Sequence, residues 1–203
     1  MKLYDSMGPN PKVVRMFMVE RGIELESEML DLMAGQNREP AHLSRNPSGQ
    51  SPTLELDDGQ FIAEITAICE YLEEHAGASE LMGLTSQARA EVRMWTRRVD
   101  IQIIEPLTNG FRFAEGLRLF ENRVRCIPQA AGDLKTLAQE RLSWLDSLMG
   151  ENEYICGDRF TFADIMLFVF LEFGESVGQP LNRDNRWVSG WYDRVASRPS
   201  AKA

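Results

Sequence analysis

Residues 49–68 read GQSPTLELDDGQFIAEITAI, and this stretch decides the fold of the chain. After Pro52, Leu54 and Leu56 alternate with polar residues, a pattern typical of a strand with one buried face. A proline at the first position of a strand removes no earlier ladder bond. Asp58-Gly59 predicts a hairpin with a type I′ turn, which requires positive φ at both central residues.

The second half of the stretch predicts a returning strand and then a helix. Phe61 and Ile62 begin the strand, and residues 64–73 carry apolar side chains at helical spacing. The Ser51-Pro52 bond before the first strand is expected to be cis, which would be a specified feature of the fold. The unit is therefore proline, strand, hairpin, strand and helix.

The residues before this stretch predict strand, helix, strand and short helix. Residues 2–5 are a strand candidate, and residues 23–31 are compatible with a second strand. Asn10-Pro11 predicts a helix start, because Asn is a favoured N-cap and Pro is favoured at the first helical position. A short helix is expected around residues 41–43. The predicted order for the first part of the chain is βαβαββα.

The second half of the chain is helical. Residues 75–84 are rich in small residues and indicate a linker. Residues 165–171 are apolar all round, so their helix should form the centre of a second domain, and residues 161–164 resemble a capping box. Four segments show helical periodicity with almost no strand signal: residues 86–116, 117–150, 161–175 and 185–197.

Bulk composition excludes several classes of protein. The net charge of −9 argues against a nucleic-acid partner, because phosphate binding needs clustered Lys and Arg. No apolar run approaches the roughly 20 residues that span a bilayer, and no signal-peptide pattern is visible. The three cysteines form no CxxC pair, so a disulfide framework or a metal site is not expected. We expect a cytoplasmic protein that binds neither membrane nor metal.

Three motifs resemble those of glutathione transferases of bacterial type. Ser51-Pro52 stands where the family has Val-Pro, and Asp58-Gly59 matches the family's turn. Glu64-Ile65-Thr66 stands where the family opens a helix with Glu-Ser. The order of segments matches the family from residue 1 to about residue 200.

The resemblance implies a fold and an assembly. We expect an α/β thioredoxin-like N-terminal domain (βαβαββα) at residues 1–76 and an all-α C-terminal helical domain at residues 86–203. A linker should join them at residues 77–85. The family forms two-fold dimers, so a homodimer is expected.

The resemblance also implies a glutathione site in the first domain. In the family, the residue before the cis-proline pairs its backbone with the cysteinyl part of glutathione, which assigns Ser51 and Pro52 to the site. Glu64 matches the acidic residue near the γ-glutamyl end. Ile65 retains only a backbone N–H for the γ-glutamyl carboxylate, aided by the positive helix N-terminus, and Thr66 is a candidate for the missing hydroxyl.

Three further residues are candidates at the glycyl end of glutathione. Gln50 matches a family position that reaches the glycyl carboxylate. Arg38 and His42 precede it and would add charge, since an arginine suits a carboxylate by its paired donors. A solvated loop explains Arg38 and His42 as well, and the two interpretations of His42 have equal weight.

Catalysis requires a donor near the glutathione sulfur, because the thiolate is the nucleophile. Many family members use Tyr, Ser or Cys in the loop after the first strand. Asn10 stands where bacterial relatives often carry Cys, and its amide can donate to a thiolate. Asn10 is also explained as an N-cap, and Ser6 is the alternative donor. Candidates for the hydrophobic substrate site, which ordinary core packing would also explain, are Met7, Trp95, Phe111, Arg112 and Phe113.

Three functions remain open at this point. The first is conjugation of glutathione, as co-substrate, to small hydrophobic electrophiles. The second is glutathione-dependent reduction of disulfides or peroxides at the same site, without a protein thiol. The third is a non-catalytic binding module, like the transferase-like proteins attached to transcription or translation machinery.

Overall fold

A computed structural model describes all 203 residues of the protein. The chain divides into two compact units, residues 1–79 with 199–203 and residues 80–198. The division after Ser79 falls inside the stretch expected to be a linker. The last five residues belong to the first unit, whereas the sequence placed them in the helical domain.

The first unit is a mixed four-stranded sheet with helices, which confirms the thioredoxin-like fold. The strand order is β2-β1-β3-β4, with β1 parallel to β2 and the other neighbours antiparallel. Its elements are β1 Lys2–Ser6, α1 Pro9–Arg21, β2 Glu26–Leu30, α2 Pro40–Leu43, β3 Thr53–Glu55, β4 Phe61–Ala63 and α3 Ile65–Ala76.

The core of the first unit lies between the sheet and the helices α1 and α3. Leu3 and Leu54 from the central strands, Phe17 from α1 and Ile68 and Leu72 from α3 are all buried to 1% exposure or less. Alternate residues of a strand face opposite sides. The loops that follow the central strands leave this core, and they carry the candidate site residues.

The start of α1 differs from the prediction. Asn10 is not the N-cap, because the helix begins at Pro9 and Gly8 occupies the cap position with φ 122°. Proline at the first helical position is pre-set for the helix, and glycine reaches positive φ without steric conflict. The helix therefore begins one residue before Asn10, whose side chain does not cap it.

The hairpin is present, but the type I′ turn is wrong. Only Gly59 of the loop has positive φ, at 83°. The Gly59 N–H donates to the Leu56 carbonyl at 3.0 Å, and the Leu56 N–H donates to the Gln60 carbonyl at 2.8 Å. This is the pattern of a three-residue loop with glycine in the left-handed position.

The regular elements of the second unit are all helices, which confirms the predicted helical domain. Its helices are α4 Ser86–Val99, α5 Glu105–Arg112, α6 Leu117–Phe120, α7 Ala131–Met149, α8 Phe162–Ser176 and α9 Arg186–Ala196. A π-helical turn at Asp100–Ile104 links α4 to α5. The long helix expected over residues 117–150 is wrong, because α6 ends at Phe120 and Pro128 opens a new helical start before α7.

Helix α8 is the centre of the second unit, as its apolar run predicted. Residues 162–171 are all buried, and Thr161 and Asp164 form the expected capping box. Asp164 is fully buried and also accepts hydrogen bonds from the Ile155 N–H at 2.9 Å and from Trp191 Nε1 at 2.8 Å. Burial raises the pKa of this carboxyl, and these hydrogen bonds oppose the rise. No helix of the chain has both the length and the apolar character that crossing a membrane requires.

Candidate functional site

The residue before the cis-proline presents unpaired backbone groups. The Ser51-Pro52 bond is cis, as expected, and Ser51 is only 9% exposed. The β3 ladder begins at Thr53, and neither the N–H nor the C=O of Ser51 has a hydrogen-bond partner within the chain. Backbone groups of buried residues are almost always paired. Ser51 is therefore suited to pair with an extended peptide.

The Ser51 side chain, unlike its backbone, is hydrogen-bonded within the first unit. Its hydroxyl forms a short hydrogen bond with the hydroxyl of Ser6, which is fully buried at the end of β1. Ser6 Oγ also lies 3.3 Å from the Met7 carbonyl. The Ser6 N–H donates to Asp5 Oδ1 at 2.6 Å, and Arg15 Nη1 donates to the same oxygen at 2.7 Å. The Ser6 hydroxyl is thus engaged inside the unit.

The carbonyls of residues 48–50 each accept a hydrogen bond from a side chain. Arg38 Nη1 donates to the residue 48 carbonyl at 3.1 Å, and Asn37 Nδ2 donates to the residue 49 carbonyl at 2.6 Å. The residue 50 carbonyl accepts from His42 Nε2 at 2.8 Å and from Asn46 Nδ2 at 3.0 Å. We call these four side chains the carbonyl cradle. They fix the backbone that leads into Ser51.

The cradle gives Arg38 and His42 a different environment from the one expected. His42 is 1% exposed, so the interpretation of this residue as part of a solvated loop is wrong. Arg38 directs a guanidinium nitrogen to a backbone carbonyl, and its Nε is buried without a partner. Sequence reasoning missed Asn37 and Asn46. The dipeptide Asn46-Pro47 signalled a turn, but nothing in the sequence indicated that the amide points inward.

The start of α3 combines backbone strain with free N–H groups. Glu64 is the only non-glycine residue with positive φ, at 71°, a conformation that costs on the order of 1–3 kcal/mol and clusters at functional sites. No side chain caps the helix, so the N–H groups of Ile65 and Thr66 are free. Such a helix start attracts anions through its partial positive charge.

The loop after β1 leaves two candidate residues unengaged. Asn10 lies in the first turn of α1, is half-buried, and its side chain has no hydrogen-bond partner within the chain. Met7 is 79% exposed. Because the Asn10 side chain has no partner within the chain, both of its amide hydrogens are available to donate to a ligand.

The remaining substrate candidates lie in the second unit and are half-buried. Phe111 packs edge-on against Phe120 and Phe173, with ring centroids 6.1 and 5.1 Å away. Arg112 Nη1 donates to Asn109 Oδ1 at 3.1 Å, and burial lowers the pKa of its guanidinium.

Trp95 and Phe113 join no such aromatic cluster. The Arg98 guanidinium lies over the Trp95 ring, 4.8 Å from its centroid. Phe113 follows the last turn of α5.

The three cysteines are free thiols, and two of them are buried. Cys69 and Cys156 are buried, and burial raises the pKa of both thiols, that of Cys156 to about 12. Cys126 is half-buried in the second unit. No cluster of three or more His, Cys, Asp or Glu side chains has an arrangement that would hold a metal ion.

Comparison with known proteins gives consistent matches over the whole chain. The family model "Glutathione S-transferase, N-terminal domain" matches residues 1–74, and "Glutathione S-transferase, C-terminal domain" matches residues 128–199. Glutathione S-transferase 2 of Saccharomyces cerevisiae is 31% identical, covering 100% of this chain and 88% of that protein. The crystal structure of Gtt2 from the same yeast superposes with a TM-score of 0.92 at 29% identity, covering 100% of this chain and 99% of that one. Maleylacetoacetate isomerase of Pseudomonas aeruginosa is 29% identical, covering 83% of this chain and 78% of that protein.

Proposed function

Because the chain belongs to the glutathione S-transferase family, we propose that it conjugates glutathione to small hydrophobic electrophiles and that glutathione binds to the first unit. The observation that carries this proposal is the unpaired N–H and C=O of Ser51, a residue only 9% exposed. The cysteinyl part of glutathione has one N–H and one C=O of its own and would complete both hydrogen bonds.

The two ends of glutathione would bind on either side of this backbone pairing. The γ-glutamyl carboxylate would accept from the free N–H groups of Ile65 and Thr66, where the helix start favours an anion. Glu64 would accept from the γ-glutamyl ammonium group. The Gln50 side chain would donate to the glycyl carboxylate. Ile65 offers no hydroxyl here, so Thr66 Oγ1 is the remaining side-chain donor for the γ-glutamyl end.

The sulfur would be activated by hydrogen bonding and not by a protein base. The free amide of Asn10 is the donor that we assign, because it has no competing partner. A hydrogen bond to the charged form of an acid lowers its pKa, so Asn10 would increase the thiolate fraction of bound glutathione. The Ser6 hydroxyl is already engaged with Ser51, which makes it the weaker candidate.

The second substrate would bind near exposed or half-buried apolar side chains. We retain Met7 of the first unit, and Trp95 and Phe113 of the second unit, as separate candidates, since Met7 is exposed and the other two are half-buried. The ring of Phe111 already packs against two other aromatic rings, and Arg112 would offer a charge to a polar substituent of the electrophile.

Calorimetric titration with glutathione, followed by turnover assays, tests this function. We expect saturable binding to one site per chain and stoichiometric consumption of glutathione with a chlorinated arene. Faster turnover of a model disulfide would favour the reductase. No retention on immobilised glutathione would favour the binding module.

A second candidate function is isomerisation with glutathione as a recycled co-substrate. It is favoured by the match to maleylacetoacetate isomerase, and it would use the same thiolate. Isomer formation from a cis-unsaturated diketone, without loss of free thiol, would identify it.

A further inference from the structure

The carbonyl cradle determines the direction of the Ser51 N–H. The Gln50 carbonyl and the Ser51 N–H belong to one peptide unit, which is trans. In a planar trans peptide the C=O and N–H point in opposite directions. His42 and Asn46 are 1% and 3% exposed, so their two hydrogen bonds hold the carbonyl toward the interior. The Ser51 N–H must then point away from the cradle.

The two donors to the Gln50 carbonyl, His42 and Asn46, differ in the number of other hydrogen bonds that their side chains form. Asn46 Nδ2 also lies 3.3 Å from Thr53 Oγ1, and its Oδ1 accepts from the N–H and the hydroxyl of Ser48 at 3.1 and 2.7 Å. Removing Asn46 would therefore change the shape of the whole loop. His42 makes one side-chain hydrogen bond, to the Gln50 carbonyl. Its effect is confined to that peptide unit.

The hydrogen bond also identifies the tautomer of His42. A carbonyl oxygen only accepts, so Nε2 must carry the proton. Nδ1 is buried and has no partner within the chain. An unpaired buried polar atom lowers stability, and an apolar ring of similar size would avoid that cost. The imidazole at this position is thus best explained by the hydrogen bond that its Nε2–H donates to the Gln50 carbonyl.

We propose that His42 is a positioning residue, whose Nε2–H holds the Gln50 carbonyl and thereby directs the Ser51 N–H toward the bound peptide. This inference rests on the proposed function, because the peptide it serves is glutathione. His42 itself does not touch the ligand. It acts by making the Ser51 donor available before binding.

The first test compares two variants of this histidine. His42→Phe keeps an aromatic ring and removes the donor, and His42→Gln restores an N–H at a similar reach. We expect KM and Kd for glutathione to rise about fivefold to tenfold in His42→Phe, the equivalent of one ordinary hydrogen bond. The value of kcat at saturating glutathione should stay the same, and His42→Gln should recover most of the affinity. Unchanged affinity in His42→Phe, or an equal loss in both variants, would overturn the proposal.

The second test needs no glutathione and separates this inference from the proposed function. The chain has two histidines, and His75 is exposed, so His75→Gln leaves His42 as the only imidazole in the nitrogen NMR spectrum. We expect the proton on Nε2, and a shift of the Ser51 amide resonance in His42→Phe that His42→Gln reverses. A proton on Nδ1 in the wild-type residue would overturn the proposal even if His42→Phe does not fold. The expected spectra in a protein that binds no glutathione would instead refute the proposed function alone.

Discussion

The hydroxyls of Ser6 and Ser51 hydrogen-bond to each other inside the first unit, joining the end of β1 to the residue before the cis-proline. Ser6 is fully buried and Ser51 nearly so. The pair connects the loop that carries Asn10 to the backbone where we place glutathione. The bond uses side chains only, so the peptide groups of Ser51 remain free for a ligand.

A double-mutant cycle measures this coupling. Ser6→Ala and Ser51→Ala should each lower the free energy of unfolding by about 1–3 kcal/mol, because each leaves a buried hydroxyl without that partner. The double variant should lose about 1 kcal/mol less than the sum of the two. Urea unfolding supplies the values. Strict additivity would show that the two hydroxyls do not interact.

Asn10→Ala tests the assignment of the sulfur donor. We expect the thiol pKa of bound glutathione to rise toward the free value of about 8.5, since the hydrogen bond favours the thiolate. Conjugation at neutral pH should fall about tenfold or more, and the pH at which the rate reaches half its maximum should move upward. Ultraviolet titration of the bound thiolate follows the pKa directly. Ser6→Ala tests the alternative donor, and a rise of the bound thiol pKa in Ser6→Ala but not in Asn10→Ala would reverse the assignment.

Glu64→Gly separates the strain at this residue from its contacts. Glycine accepts φ 71° without steric conflict, so the variant should be about 1 kcal/mol more stable than the wild type. Glutathione should bind more weakly, because the carboxylate is lost. Ala67→Gly, in the same helix and also exposed, is the control and should be destabilising by up to about 1 kcal/mol. If chemical unfolding shows that Glu64→Gly and Ala67→Gly are equally destabilising, the backbone at Glu64 is not strained.

Alkylation of the thiols tests whether a protein cysteine takes part. The raised pKa values keep Cys69 and Cys156 protonated at pH 8, because that pH lies below both. Since the thiolate is the reactive form, we expect iodoacetamide to modify Cys126 in the native protein and all three thiols after unfolding. Mass spectrometry counts the labels. Cys126→Ser should keep transferase activity, and its loss would mean that a protein thiol contributes.

The order of elements could be predicted because it depends on local patterns. Alternation around Leu54 and the turn residue Gly59 locate the hairpin, and the apolar run of α8 predicts a buried helix. These signals are periodicities and turn preferences, which a single chain displays directly. The boundaries between successive helices were not predicted, because a proline or a π-helical turn interrupts a periodic pattern that otherwise continues, as before α7.

The site was predicted less completely because its key contacts join distant residues. Asn46 and His42 meet the Gln50 carbonyl through packing, and no local pattern shows that a polar side chain turns inward. The Ser6–Ser51 pair spans two strands for the same reason. Asn10 was misassigned as a cap because Pro9 and Gly8 together offered an earlier helix start. Backbone geometry, and not residue type, decided each case.

The most direct test of the central claim is a titration of the isotope-labelled protein with glutathione, followed by amide NMR. We expect the resonances of Ser51, Ile65 and Thr66 to shift together with one common dissociation constant, while those of exposed residues in the second unit such as Gly190 stay in place. If the Ser51 and Thr66 amides do not move at saturating glutathione, the assignment of the binding site to these backbone groups is contradicted.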